Sequence, residues 1–302
     1  MFGHGTRLYG ALFTATFFWA SLPIASKAII GSVGPIQQSL FRGATAFVAL
    51  TAFALLMFGP APLLQVARRP RVMLSQGFLG FFASSVTSLM TLQYATASQQ
   101  TVLVGTFPVM LALFAARGKD RSNRVLIGAF IALFGVIAVV AGDDPTRLLS
   151  GGIDLRGVGL GLLTAFIIAC SQNLARHHVV SGIHPIGLTA MSAMCAVPML
   201  VVTSLLLGDP GEIIRAPFGA QLGLVYLGLF CTALNFALWT WGLRHISADR
   251  AAIIQYVTTP LGVGLAWLFL GEPLTFGLAI GTALVVAGVT YSQMPPGAGR
   301  RG

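Results

Sequence analysis

Short polar side chains recur at helical spacing inside one long apolar segment of this sequence. Ser84, Ser88 and Thr91 fall on one face of a helix, and Phe81 lies one turn before them. Because an unpaired polar group is costly in hydrocarbon, these hydroxyls must face a cavity or another helix. Small hydroxyl residues also let two helices pack closely, so the pattern fits helix packing as well as ligand binding.

Amide side chains stand near the middle of two further apolar segments, at Gln172 and Asn173 and at Asn235. An amide has more donor and acceptor atoms to satisfy than a hydroxyl has. These three side chains therefore either line a cavity, where they could orient a polar ligand, or hydrogen-bond between helices.

Two tryptophans and a serine extend the set of candidate binding residues. Trp19 lies near the middle of the first apolar segment, beside Ser21, and so deeper than the interfacial belt that tryptophan often occupies. Trp239 lies near a segment end and also fits that belt. A tryptophan ring in mid-membrane can form a wall for flat or apolar cargo by stacking or cation–π contact.

Pro108 and Pro260 interrupt two apolar segments, and Tyr256 and Thr258 lie close to the second proline. Proline removes one helical hydrogen bond and frees a carbonyl group one turn earlier. The two prolines are therefore candidates for hinges or for kinks that expose a carbonyl, although a fixed kink fits equally.

Three basic residues lie within or at the ends of apolar segments. Arg42 falls inside the second segment, where a central charge costs at least ~2.5–3.5 kcal/mol unless the side chain reaches the interface. Lys27 and His177 lie near segment ends, where each could pair with a helix dipole. All three are also candidates for a gate or for an anchor of a substrate carboxylate.

Several kinds of chemistry are missing from the sequence. It has no Gly-x4-Gly-Lys-Ser/Thr loop, no HExxH motif and no Gly-x-Ser-x-Gly elbow. Asp120, Asp249 and Glu272 lie at segment ends, so no carboxylate stands at mid-segment as a proton relay. The three cysteines have no CxxC spacing and lie in apolar segments, as small core residues do. We predict no catalytic residue, no metal site and no cofactor.

The composition decides the broad class. Of 302 residues, 56% are hydrophobic and 9% are charged, with a mean hydropathy of +0.84. Globular domains have about 45–50% apolar and about a quarter charged residues. The chain cannot cover itself with polar surface, which excludes soluble enzymes, nucleic-acid binders and disordered proteins. We predict an all-α membrane protein whose partners are the lipid bilayer and a small molecule, not nucleic acid.

Apolar stretches of about twenty residues predict ten transmembrane helices. Their predicted limits are 7–29, 35–58, 72–94, 97–117, 122–142, 156–178, 185–207, 217–241, 247–270 and 274–294. The first stretch is long for a signal peptide and more spans follow it, so we expect an uncleaved helix.

The basic residues predict the orientation. With a cytoplasmic N-terminus, thirteen Lys and Arg residues fall in inside segments and four in outside segments. This positive-inside bias predicts a multi-pass protein of the bacterial inner membrane with both termini in the cytoplasm. An eleventh helix, or a missing one, would scramble the separation.

The two halves of the chain resemble each other. Pro108 and Pro260 lie in similar surroundings at an offset of 152 residues. Five helices are an odd number, so a second copy must enter the membrane from the opposite side. We predict two inverted five-helix repeats, residues 1–146 and 147–302, an architecture typical of secondary transporters. Further matched pairs are Gly128 with Gly281, Gly135 with Gly288, Ser21 with Ser171, Lys27 with His177, and Pro35 with Pro185.

Both halves contain short motifs, which are Trp19-Ala20-Ser21 with Lys27, Tyr94-Ala95-Thr96-Ala97-Ser98 before Pro108, and Ser247-Ala248 through Pro260 to Leu270-Gly271-Glu272-Pro273-Leu274-Thr275. These motifs resemble those of one family, the EamA-type members of the drug/metabolite transporter superfamily. One departure is Gly118 and Asp120, which stand where the family has a Gly-Glu pair in the first copy. Within the family the chain is most similar to bacterial exporters of the YddG type, which implies export of aromatic or neutral amino acids.

These observations predict a secondary transporter that exports a small neutral or zwitterionic metabolite by alternating access around a central cavity. Amino acids with apolar or aromatic side chains are the expected cargo. A carrier of lipophilic drugs or nucleotide-linked sugars is the alternative within the superfamily. An intramembrane enzyme, from a different class, would need a nucleophile and a base at one depth. Gly219-x3-Gly223 and Gly277-x3-Gly281 fit packing within a monomer or in a weak homodimer.

Overall fold

The structure, a computed structural model, describes residues 2–115, 123–144, 154–243 and 254–293. Within these ranges the regular elements are all helices and no strand occurs. A helix satisfies its own backbone hydrogen bonds, which is what a chain segment needs where lipid supplies no partner. Gly118, Asp120, Ser247, Ala248 and Asp249 lie outside the described residues.

Ten helices form the spans of this membrane protein. Nine of them are long and apolar enough to cross a bilayer, and α9 is a shorter apolar helix among the described residues. From α1 to α10, the bounds are Phe2–Ile29, Pro35–Phe58, Pro70–Tyr94, Ala97–Phe114, Asn123–Ala141, Leu155–Val180, Pro185–Leu207, Phe218–Trp239, Ile254–Leu270 and Phe276–Gln293. Short helices Ala61–Ala67 and Glu212–Arg215 lie in connections.

The ten-helix prediction is confirmed, and most helix bounds lie within a few residues of the predicted limits. Helices α2 and α7 begin and end at the predicted residues. Both begin with a proline, Pro35 or Pro185, because proline fits the first turn of a helix but not its interior. Helix α1 begins earlier than predicted, and α9 is described only from Ile254.

Three spans depart from regular α-helix, which their hydropathy did not predict. Helix α3 contains the π-helical segment Gly77–Ala83, and α8 contains the π-helical segment Tyr226–Leu234. Helix α4 is interrupted around Gly105, between the pieces Ala97–Val104 and Phe107–Ala115. Segments of π-helix occur frequently at functional sites, and all three irregular stretches contribute to the cavity described below.

Glycines bring α5 and α10 into close contact. A Cβ atom added at Gly128 would lie 2.5 Å from the carbonyl oxygen of Gly288, and one added at Gly135 would lie 2.7 Å from that of Gly281. The earlier glycine of α5 meets the later glycine of α10, and the later meets the earlier. The two helices therefore run antiparallel, with backbone against backbone.

Helices α2 and α7 also run antiparallel. At the start of α2, the Gln37 amide donates to Ser204 Oγ, near the end of α7, at 3.3 Å. Farther along α2, Leu50 shares a cluster of buried residues with Ala190, near the start of α7. The second helix of each half thus packs on its counterpart in the opposite direction.

The small-residue motifs pack within the chain. Gly277 and Gly281 lie against α5, and an added Cβ atom at Gly223 would lie 2.8 Å from Ile29 Cγ2. A Cβ atom added at Gly219 would have nothing within 4 Å among the described residues.

Side chains of each half cap helices of the other half. Glu212 Oε2 accepts a hydrogen bond from the Gly34 amide at 2.7 Å, just before α2. Gln65 Oε1 accepts one from the His184 amide at 3.0 Å, just before α7. Gly34 and His184 are 150 residues apart, so the two caps occupy matching places in the two halves.

Carboxylates also cap α4 and α6. Glu272 accepts hydrogen bonds from the Ala97 amide at 2.7 Å, the Ser98 amide at 2.9 Å and Ser98 Oγ at 2.6 Å. A negative charge is stabilised at a helix N-terminus by the helix dipole. Asp154 caps α6 through the Arg156 amide at 3.0 Å, and its side-chain hydrogen bond with Arg156 lowers the pKa of this carboxyl.

We expect Gly281→Ala to destabilise the protein by about 1–3 kcal/mol, because overpacking a closed interface costs that much. The added methyl group would lie 2.5 Å from the carbonyl oxygen of Gly135 and would also meet Val139. Gly264→Ala is the matched control, since a Cβ atom there has nothing within 4 Å among the described residues. Thermal unfolding in detergent compares them, and equal melting temperatures would contradict the glycine contact.

Candidate functional site

A cavity of about 260 Å³ lies where the two halves of the chain meet. Residues of α1, α2, α3, α4, α6, α8, α9 and α10 form its wall, so each half supplies four helices. The predicted binding, anchor and hinge residues that line it are Trp19, Arg42, Phe81, Ser84, Ser88, Pro108, Gln172, Tyr256 and Thr258.

The irregular stretches of α3 and α8 face each other across the cavity. Gly80 and Phe81 come from the π-helical segment of α3, and Cys231 and Thr232 come from that of α8. The Thr232 hydroxyl donates to the carbonyl of Leu227, five residues earlier, at 2.8 Å. A π-helical turn holds one residue more than an α-helical turn, which rotates the following side chains relative to the preceding ones.

The tryptophan ring of Trp19 is fixed by Asn235. In the amide orientation that satisfies both groups, Trp19 Nε1 donates to the Asn235 side-chain oxygen at 2.7 Å, and the Asn235 nitrogen donates to the Ala15 carbonyl at 3.0 Å. Asn235 is fully buried and lies outside the cavity lining. Its geometry gives it a positioning role behind the wall rather than a contact with bound cargo.

Four aromatic rings form a continuous group beside the cavity. The Trp19 ring lies 5.0 Å from that of Trp239 and 6.0 Å from that of Phe236, and Phe236 lies 5.8 Å from Phe81, measured between centroids. Trp19, Phe81 and Phe236 line the cavity and are called the aromatic wall below. Trp239 supports this wall from behind and does not line the cavity.

Arg42 brings a positive charge into the cavity wall. Its Nε donates to Thr232 Oγ1 at 3.3 Å and its Nη1 donates to Ser85 Oγ at 3.4 Å. Both partners line the cavity, so these bonds hold the guanidinium at the cavity wall. The ion pairs among the described residues involve other arginines, so Arg42 has hydroxyl partners and no carboxylate there.

Of the predicted hydroxyl residues of α3, Ser84 and Ser88 line the cavity, whereas Thr91 packs between helices. Ser84 Oγ donates to the Gly80 carbonyl at 2.7 Å, and Ser88 Oγ accepts from Gln100 Nε2 at 2.7 Å. Thr91 is fully buried, donates to its own helix and does not line the cavity.

Ser21 lies outside the cavity lining and joins α1 to α8. Its hydroxyl forms a hydrogen bond of 2.7 Å with Tyr226 Oη. Ser171, at the matching position in the second half, donates to Gln76 Oε1 at 3.1 Å and joins α6 to α3. Gln76 and Tyr226 are also 150 residues apart, so the two serine contacts form a matched pair.

The structure does not bring Lys27 or His177 to the cavity. Lys27 Nζ donates to the carbonyls of Leu92 at 2.5 Å and Ala95 at 3.0 Å, and so caps the end of α3. His177 is exposed and its ring contacts that of His178. Asn173 and Pro260 are likewise exposed residues outside the cavity lining.

Sequence reasoning did not select four residues of the cavity wall, Pro23, Gln100, Thr232 and Phe236. Pro23 and Gln100 could have been selected, because a proline and an amide are both unfavourable inside an apolar helix unless they have a structural or functional role. Thr232 and Phe236 carried none, since their position depends on the π-helical rotation of α8.

Comparison with protein families supports one assignment. The family described as the EamA-like transporter family matches residues 7–141 and 155–292. These two segments include all ten spans except the ends of α1 and α10.

Similar proteins include uncharacterised transporters and amino-acid exporters. Uncharacterized transporter YdfC of Bacillus subtilis is 27% identical, over 91% of this chain and 87% of its own length. Aromatic amino acid exporter YddG of Escherichia coli is 24% identical, over 91% and 92%. A probable terminal-alkyne amino-acid exporter of Streptantibioticus cattleyicolor is 26% identical, over 92% and 91%.

One solved crystal structure has the same fold. It superposes with a TM-score of 0.68 at 18% sequence identity, and the match covers 95% of this chain and 96% of the other.

We expect Asn235→Leu to lower the free energy of unfolding by about 1–3 kcal/mol, because the buried N–H group of the Trp19 ring loses its acceptor. In a Trp19→Phe background, which has no N–H group, the same substitution should cost less. Denaturant unfolding of the single and double variants measures this coupling. Strictly additive effects would contradict the Trp19–Asn235 hydrogen bond.

Proposed function

This chain belongs to the EamA-like transporter family, and we propose that it is a secondary transporter that exports amino acids with apolar or aromatic side chains. The observation that carries this proposal is the combination of Arg42 and the aromatic wall in one cavity. The names of two relatives, an aromatic amino acid exporter and a probable terminal-alkyne amino-acid exporter, support both the cargo and the outward direction.

Arg42 is the anchor for the cargo carboxylate. A guanidinium can hold a carboxylate through two parallel hydrogen bonds, and a charge-assisted bond is roughly twice as strong as a neutral one. Thr232 and Ser85 orient the guanidinium without neutralising it. A carboxylate entering the cavity therefore gives Arg42 the charged partner that the described residues do not supply.

The aromatic wall receives the cargo side chain. Aromatic pairs in offset or edge-to-face contact gain about 0.5–1.5 kcal/mol beyond the burial of their area. Asn235 and Trp239 hold the Trp19 ring in place, so little rotamer freedom is lost when cargo binds.

The cavity fits the alternative cargoes less well. A nucleotide-linked sugar carries two phosphates, whereas Arg42 is the one Lys or Arg among the described lining residues. A lipophilic drug has no need of a fixed guanidinium in an apolar wall, and such a charge is costly to keep there.

The proposed mechanism is alternating access by two inverted five-helix repeats, residues 1–146 and 147–302. Its support is the family match to residues 7–141 and 155–292, the antiparallel packing of α2 on α7 and α5 on α10, and the paired serine contacts. Sites of inverted-repeat transporters lie where the repeats meet. A single chain builds the cavity, so a monomer suffices and a weak homodimer is not required.

No Asp or Glu occurs among the described residues that line the cavity. A carboxylate at mid-membrane is the usual relay for a coupled proton. We therefore propose that transport is facilitated, or is coupled away from the cavity.

In proteoliposomes, radiolabelled phenylalanine should exchange across the membrane, and Arg42→Gln should slow the exchange roughly 10-fold or more through loss of a charge-assisted bond. Arg215→Gln, outside the cavity lining, is the control and should keep the parent rate.

Two results would contradict the proposal. Equal rates for the Arg42→Gln and parent proteins would remove the carboxylate anchor. An absolute requirement for an imposed proton gradient would contradict facilitated exchange.

Reporter fusions test the orientation. We propose that the protein lies in the bacterial inner membrane with both termini in the cytoplasm. A reporter that is active only in the cytoplasm should therefore be active when it is fused to either terminus. A fusion in the connection after Ala141, between the two repeats, should report the periplasm. Termini on opposite sides of the membrane would refute the inverted duplication.

A further inference from the structure

Gln100 is a buried amide of the cavity wall with one atom left unpaired. The side chain is 2% exposed. Its Nε2 donates to the Ser88 carbonyl at 3.0 Å and to Ser88 Oγ at 2.7 Å. Because a carbonyl can accept but not donate, this contact fixes the amide orientation. Its Oε1 accepts no hydrogen bond from any described residue.

The interruption of α4 leaves a second unpaired acceptor one turn later. Pro108 has no amide hydrogen, so the carbonyl of Val104 loses the helical donor four residues ahead. No other hydrogen bond to this carbonyl occurs within the described part of the chain. Gln100, Val104 and Pro108 follow one another at helical spacing, and all three line the cavity.

Helix α1 supplies a third backbone acceptor. Pro23 lies inside α1, so the carbonyl of Trp19 loses its donor four residues ahead. Both residues line the cavity. A Cβ atom added at Gly262 would lie 2.7 Å from Thr101 Cγ2 and 3.3 Å from the Ala20 carbonyl oxygen. Thr101 and Ala20, the sequence neighbours of Gln100 and Trp19, thus both lie beside Gly262, which brings α1 and α4 together at this part of the cavity.

We propose that the Gln100 side-chain oxygen and the carbonyl oxygens of Val104 and Trp19 form a subsite for the primary ammonium group of the cargo. Three acceptors match the three N–H donors of a primary ammonium group. Gln100 Oε1 is buried without a partner, so an ammonium group that reaches it supplies the donor that this oxygen lacks.

This inference rests on the proposed function and adds the recognition of the second charged group. Arg42 holds the carboxylate, and the ammonium group is held by oxygen dipoles without a negative charge. Because no Asp or Glu occurs among the described lining residues, the subsite binds the ammonium group without forming an ion pair. A zwitterion then fits the cavity better than an amine or a carboxylic acid alone.

Three ligands distinguish the contribution of the carboxylate to binding from that of the ammonium group. Phenylalanine carries both, phenethylamine lacks the carboxylate, and 3-phenylpropionate lacks the amine. Isothermal titration calorimetry on the purified full chain in nanodiscs gives the Kd of each ligand, in sodium chloride and in choline chloride.

We expect Gln100→Leu to weaken phenylalanine and phenethylamine roughly 10-fold or more, since a hydrogen bond to a charged group is lost, and to leave 3-phenylpropionate unchanged. Pro108→Ala restores an amide hydrogen for the Val104 carbonyl and should weaken the same two ligands. Gln100→Glu should tighten phenethylamine and weaken 3-phenylpropionate.

Gln221→Leu is the matched control. This half-buried glutamine donates to the carbonyls of Ile213 and Ile214 near the start of α8, outside the cavity lining, and its loss should leave all three Kd values unchanged. Parent-like binding of 3-phenylpropionate to the Gln100→Leu, Pro108→Ala and Gln221→Leu variants shows that their cavities are intact.

Four results would overturn the subsite. The first two concern Gln100→Leu, which could weaken all three ligands equally or have no effect on any Kd. The third is that phenethylamine does not bind to the parent protein. The fourth is that exchanging sodium for choline changes the Kd values as much as Gln100→Leu does. A failed proposed function looks different. Phenylalanine would then not cross the membrane, while phenethylamine binding would still respond to Gln100 and Pro108.

Discussion

A polar group inside a lipid bilayer must find its partner within the protein, because the surrounding hydrocarbon offers none. Most polar side chains inside the spans obey this constraint. Asn235 holds Trp19, Ser171 pairs with Gln76, and Lys27 caps α3. Among the described residues, Arg42 has no carboxylate partner and the side-chain oxygen of Gln100 accepts no hydrogen bond. Both residues line the cavity, where an entering ligand can supply the missing partner.

The spans could be predicted from the sequence because the bilayer sets their length and their apolar composition. Prolines fixed the starts of α2 and α7. The π-helical segments of α3 and α8 could not be predicted, because they depend on packing against other helices and leave no periodic signal. The motifs identified the family correctly, since they cover both halves of the chain.

The position of a residue along its helix could be read from the sequence, but the neighbours of its side chain could not. Ser84, Ser88 and Thr91 share one face of α3, yet Thr91, about two turns beyond Ser84, packs between helices. Asn235 was expected either at the cavity or between helices, and it lies behind the aromatic wall. Gln100 was not among the predicted site residues, although it lines the cavity. In each case the outcome depends on how the helices pack on one another, which the spacing along one helix does not fix.

The contact between α5 and α10 places carbonyl oxygens where side chains would normally stand. Four glycines, two from each half, must all lack a carbon atom for this approach to exist. Elsewhere, matched positions of the two halves carry different residues, as Gln76 and Tyr226 do. At the contact between α5 and α10, a methyl group added to either helix meets backbone atoms of the other, which cannot move aside as a side chain can. A larger residue at any of these four positions therefore requires the two helices to separate.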